Sequence, residues 1–208
     1  MMRLFLPLFV PFALFHTASA QNLLQRTVLN DTMPNLVPNP GFEESVRTYC
    51  SWTQDPAKFN ANMTGWHSPT QTTPDQFSTK NDSECWAHPG KHSSGKQSVH
   101  SGQAMTGIKT YGKGNTPTYW HEYLQTELPE PLESGKRYIA ECWVLRAVRS
   151  NEASNNIGIA LLDTPVSTRD CLPLYITPQV NEEKLIKGGW HKVSGVFDAI
   201  GNERYLIL

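Results

Sequence analysis

The sequence predicts an all-β sandwich with long loops, and three observations predict it. Apolar residues recur with a period of two in short segments through the second half of the chain. No window sustains the period of 3.6 that an amphipathic helix needs; only SVRTYCSW (45–52) and NEEKLIKG (181–188) have room for about one helical turn. Fifteen prolines and fourteen glycines punctuate the 208 residues, so elements must be short and connections frequent.

The chain opens with MMRLFLPLFVPFALFHTASA. Arg3 precedes an apolar run from Leu4 to Phe15, and Ala18-Ser19-Ala20 supplies the small residues a signal peptidase reads. The run is too short to span a hydrocarbon core of ~30 Å. Residues 1–20 are therefore expected to be a cleaved secretory signal, with Gln21 as the mature N-terminus and no transmembrane segment in the mature chain. Residues 21–34 read as a flexible lead-in, and residues 35–208 as one domain large enough for a real core.

That domain begins with NLVPNPGFEE (35–44). Pro38 and Pro40 lack an N–H to donate and suit a strand entry. Gly41 allows a turn, Phe42 is expected to plug the end of the sandwich, and Glu43 lies beside it at the rim. A carboxylate next to a buried aromatic needs a partner: backbone N–H groups, a basic side chain, or a hard cation. Glu43 is accordingly the candidate ligand for a structural calcium ion, the only cofactor in view.

Strands are expected over QAMTGIKTYG (103–112), YWHEYLQTEL (119–128), RYIAECWVLRAV (137–148), NNIGIALLD (155–163), GWHKVSGVFDA (189–199) and ERYLIL (203–208). The second sets Trp120, Leu124 and Leu128 against Tyr119, His121 and Tyr123. The third is apolar on both faces, as a central strand would be. Between these two, PLESGKRY offers a proline and a Ser-Gly turn, so they are expected to form a hairpin or close neighbours.

Four cysteines in an exported chain permit disulfides, with three possible pairings. Cys50 and Cys85 flank the most irregular segment, where a staple has most to hold, and are expected to pair. Cys142 lies inside an apolar strand, where a buried free thiol and a bond to Cys171 are both open. With Arg3 removed by cleavage, 17 basic residues face 19 acidic ones. Nothing in that balance suggests nucleic acid or an anionic membrane surface as a partner.

Several motifs fail on their chemistry. GKHSSGKQ (90–97) has the G-x4-G-K spacing of a phosphate loop, but Gln97 stands where Ser or Thr would bind Mg²⁺, and no apolar strand precedes Gly90. His88 and His92 are separated by Pro89 and Gly90, which forbid the helix that would align two imidazoles on a metal. There is no G-x-S-x-G elbow and no evident pair of glycosidase carboxylates. Asn30, Asn62 and Asn81 begin Asn-x-Ser/Thr triplets, which matter only in a eukaryotic secretory pathway.

The aromatics carry the remaining signal. Trp143 and Trp190 fall in apolar strands and read as core. Trp52, Trp66 and Trp86 lie in the loop-rich 45–100 region, with Tyr111, Trp120 and Tyr123 at or near the next strands. Flat rings near Asn, Gln and His suit stacking on sugar faces, so Trp66, Tyr111, Trp120 and Tyr123 are the ligand-binding candidates. The competing reading is that such rings pack the long loop onto the sandwich.

The opening motif also resembles the start of galactose-binding-like jelly-roll domains, the fold of many carbohydrate-binding modules. Together with GWHSPTQTTPDQF (65–77), SGQAMTGI (101–108), HEYLQTELPEPLESGKRY (121–138), NNIGIALLDTPV (155–166) and WHKVSGVFDAIGNERYLIL (190–208), it resembles an uncharacterised family of exported Gram-negative domains. Members often stand ahead of an OmpA-type peptidoglycan-binding domain or a secretion-sorting tail. The resemblance implies a jelly roll in the periplasm, on the outer membrane or at the cell surface, and no catalytic motif. Members continue past the equivalent of YLIL into a further strand beside the first one. A truncated frame is therefore expected here, with an open sheet edge unless another segment, such as residues 21–34, covers it.

The expected function is a non-catalytic module binding glycan or a peptidoglycan-associated envelope component. The alternatives are a structural or adhesive envelope domain with protein partners, and a hydrolase working through loop groups such as His67 or Glu122.

Overall fold

The structure is a computed structural model that describes residues 2–5, 33–90, 97–110, 121–148, 150, 152–184 and 186–208. It is an all-β sandwich of antiparallel sheets, as the period-two segments require. Its strands are β1 (Met2–Phe5), β2 (Asp75–Ser78), β3 (Ala104–Gly107), β4 (Gln125–Glu127), β5 (Arg137–Val144), β6 (Ile157–Leu162), β7 (Val180–Glu182), β8 (His191–Asp198) and β9 (Tyr205–Ile207).

One sheet has the order β1-β5-β8, the other β4-β9-β6-β7, and β2-β3 form a separate pair. Strand β5 pairs with β8 along its whole length, from Arg137↔Asp198 to Val144↔His191. Its alternation sends Tyr138, Ala140 and Cys142 into the core, where Val193 sits opposite Cys142. From the other sheet come Ile159, Leu161, Val180 and Leu206, and Val37, Phe42, Phe59, Met63 and Trp66 close one part of the same core.

The structure corrects the reading in several places. The 119–128 and 137–148 segments are not a hairpin: β4 pairs with β9, and β5 pairs with β8 in the facing sheet. The Ser-Gly turn therefore carries the chain between layers rather than back along one sheet. Strands β2 and β7 are short and lack a clear alternation, so periodicity missed both. Residues at the start of NEEKLIKG belong to β7, not to a helical turn.

The one helix among the described residues, α1 (Pro56–Asn62), lies outside both windows expected to hold helix. Its start is locally encoded: the Asp55 carboxylate accepts the Ala57 N–H at 2.9 Å, and Pro56 occupies the first turn, where its missing N–H costs nothing. Only Phe59 and Asn62 are buried, so a seven-residue helix shows no sustained apolar stripe.

Strand β1 falls within the segment read as a leader. Most of residues 21–34, and the apolar run from residue 6 onward, lie outside the described residues. No helix among the described residues is long and apolar enough to cross a membrane.

Candidate functional site

The opening motif is a locked turn. Asn39 and Phe42 both take left-handed backbone conformations, with φ of 42° and 59°. Such geometry is costly for a phenylalanine and persists only where neighbours over-determine it. The Asn39 side chain donates to the carbonyls of Glu44 (2.9 Å) and Thr64 (2.8 Å) and accepts the Glu44 N–H (3.0 Å). The Trp66 indole N–H donates to the carbonyls of Pro38 and Asn39, and its ring packs 5.1 Å from that of Phe42. Phe42 thus fills the sandwich end as expected. Trp66, expected as a ligand-stacking ring, is instead 1% exposed and offers no face to solvent. Its indole N–H is shared between the Pro38 and Asn39 carbonyls, the second of which also accepts the Phe42 N–H.

Glu43 has protein partners. Its Oε1 accepts the backbone N–H of Gln103 (2.7 Å) and Ala104 (3.0 Å), and its Oε2 lies 3.9 Å from Lys80 Nζ. The close approach depends on Gly102, whose φ is +66° and whose missing Cβ would sit 2.1 Å from Glu43 Oε1. The carboxylate therefore ties the opening turn to the start of β3. Among the described residues, no group of three or more His, Cys, Asp or Glu side chains is arranged to hold a metal ion.

An exposed aromatic pair lies at the disulfide, while Tyr175 stands exposed elsewhere in the chain. Cys50 and Cys85 are bonded across a separation of 35 residues, the pairing the spacing suggested. Cys142 and Cys171 are free, and burial pushes the Cys142 thiol up to about 12, so it is an inert core group. Trp52 and Trp86 follow the two bonded cysteines and stack with centroids 5.5 Å apart, at 48% and 42% exposure. The staple is reinforced by the backbone: Ala87 N–H donates to Cys50 O, and Asn81 Nδ2 donates to the carbonyls of Tyr49 and Ala87.

Next to this pair, Thr53 N–H donates to the Asp75 carboxylate at 2.7 Å. Burial raises the Asp75 pKa to about 6, Glu122 adds to the rise, and the Thr53 hydrogen bond and Lys109 oppose it. Glu122, itself buried, accepts the backbone N–H groups of Thr73 (3.3 Å) and Lys109 (2.8 Å).

A concavity of about 370 Å³ is lined by polar groups including Asp55, Asn60, His67, Thr70 and Thr168. Of these, His67 is bridged to Gln125, and the two backbones exchange N–H···O bonds of 2.9 and 2.8 Å. Gln125 Oε1 accepts the Val166 N–H, so its amide nitrogen is the atom facing His67 Nε2 at 2.8 Å. His67 Nε2 must then accept, which places the proton on Nδ1. Burial lowers the His67 pKa, with Glu127 opposing, in keeping with a neutral ring. His67 Nε2 and both Glu122 oxygens are thus occupied by structural partners.

The remaining candidates divide. Tyr123 is half-buried, and its hydroxyl accepts the Leu174 N–H at 2.9 Å, anchoring the 170–175 loop. Tyr111 and Trp120 lie outside the described residues, as does most of GKHSSGKQ together with His92. Trp143 and Trp190 are half-buried rather than core: His100 stacks on Trp143 at 4.2 Å and meets Trp190 edge-on at 5.5 Å.

In comparisons with known proteins, the chain matches no family model, no curated protein and no solved structure.

Proposed function

We propose that the protein is an exported, non-catalytic β-sandwich module, of jelly-roll topology, that binds a carbohydrate of the cell envelope through Trp52 and Trp86. The observation that carries this reading is the exposed, disulfide-stapled tryptophan pair. Two large stacked rings keep close to half of their surface in water, and the chain fixes them there with a covalent bond and a hydrogen-bonded frame. The apolar face of a pyranose stacks on such a ring, and rigid anchoring lowers the ordering entropy of binding. A half-buried carboxylate at Asp75 and the polar cleft at His67 supply acceptors and donors of the kind sugar hydroxyls need.

Affinity electrophoresis against a panel of envelope polysaccharides and peptidoglycan fragments tests this. The expected result is retardation by at least one glycan, abolished in Trp52→Ala and Trp86→Ala. Equal mobility of wild type and both variants in every gel contradicts it.

A further inference from the structure

We infer that the side of β5 opposite β8 is a strand-accepting edge, filled in the exported chain by an extended segment of a partner polypeptide. The inference rests on the export reading above, because it requires that residues 1–20 leave.

Strand β5 is bonded to β8 over eight residues, but among the described residues its other side is accompanied only by the four residues of β1. The register is antiparallel: Met2↔Cys142, Arg3↔Glu141, Leu4↔Ala140 and Phe5↔Ile139. Once the leader is cut, alternate N–H and C=O groups of Ile139–Cys142 lose their partners. Bare edge groups beside a core are a template for another strand. Ala140 and Cys142, at 0% and 3% exposure, are core residues of β5, so an incoming strand extends the core as well as the ladder.

The seat also specifies its occupant. The positions opposite Ala140 and Cys142 are held by Leu4 and Met2, and the position between them, opposite Glu141, by Arg3. With β1 in place opposite it, Glu141 is a carboxylate with a side chain only 5% exposed, ion-paired to Lys192. A charge so nearly desolvated favours further basic neighbours and penalises acidic or apolar ones. The acceptor therefore selects an extended segment with apolar residues at alternate positions and a basic residue between them, the β-augmentation mode of recognition.

The test uses the protein secreted from an exporting host with its own leader. Intact mass establishes whether residues 1–20 are removed, and light scattering gives the oligomeric state. A fluorescein-labelled peptide carrying Met2–Phe5 between flanking threonines is then titrated by anisotropy. The expected result is a cleaved monomer that binds the peptide saturably. Binding should weaken roughly tenfold or more with Arg3→Glu in the peptide, and with backbone N-methylation at Arg3 and Leu4, one of which turns its N–H towards β5, a change that removes no side chain. A cleaved monomer without binding, or with equal binding of the N-methylated peptide, overturns the acceptor edge and leaves export standing. Retention of residues 1–20 overturns both readings. A cleaved dimer that excludes the peptide makes a second copy the occupant and overturns the partner strand.

Discussion

Trp66 and the Trp52–Trp86 pair come from the same loop-rich stretch of sequence and end in opposite environments. Trp66 is 1% exposed, with its N–H bonded to two turn carbonyls, whereas Trp52 and Trp86 stand 48% and 42% exposed. The difference is set by what each neighbours along the chain. Trp66 follows Gly65 and bridges to Gln125 through His67, so it enters the sandwich. Trp52 and Trp86 are tied to a disulfide that joins exposed Cys50 to buried Cys85, and they stack on each other at that boundary. The lesson is that a loop tryptophan is assigned by its covalent and hydrogen-bonded tether, not by the composition around it.

Substitution separates the two roles. Trp66→Ala should destabilise the fold by roughly 3–5 kcal/mol, the range for large aromatic truncations in a core, with any binding loss following the unfolding curve. Chemical denaturation measures this, and a cost near that of a surface change would break the comparison. Trp52→Ala should leave the free energy of unfolding within about 0.5 kcal/mol of wild type.

Gly102→Ala comes next. Its Cβ would meet Glu43 Oε1 at 2.1 Å in a left-handed backbone, so a loss on the order of 1–3 kcal/mol is expected. Glu43→Ala in the same chain should recover the steric part of that loss but not the backbone part. A double-mutant cycle with no coupling would show that Glu43 is not what Gly102 accommodates.

Asp75 gives a pH dependence beside the exposed pair. Its folded pKa of about 6 lies above the ~3.9 of an unfolded aspartate, so the native state holds the proton more tightly. The stability this contributes is full below about pH 4 and is lost as pH rises through about 6. Asp75→Asn keeps an acceptor for Thr53 and removes the buried charge. It should raise the melting temperature at pH 7.5, by an effect on the order of 1–3 kcal/mol, with the gain vanishing towards pH 4. A gain that is the same at both pH values would refute the assignment. The smallest effect concerns the turn: because backbone N–H groups and Lys80 face Glu43, melting with calcium and with chelator should differ by less than about 1 °C.

Much of this fold was legible because period-two burial is a local signal: β3, β5, β6, β8 and β9 all fall inside the segments that alternate. Strand partners were not legible, since the turn at 131–138 fits a hairpin and a crossing between layers equally well. Helix α1 was announced only by Asp55-Pro56, a cap without an apolar stripe behind it. For the candidate site, Cys50–Cys85 could be read from spacing, and with it the meeting of Trp52 and Trp86, which lie within two residues of the bonded cysteines. The burial of Trp66 and the grip of Gly102 on Glu43 are long-range contacts that no local pattern encodes.

The most direct test of the central claim is calorimetric titration of a retained glycan into wild type and a Trp52→Ala/Trp86→Ala double variant, each shown to melt at the same temperature. A wild-type isotherm is expected, with a loss of at least about tenfold in affinity for the double variant. Unchanged affinity in a folded double variant would contradict it and place glycan recognition elsewhere on the sandwich.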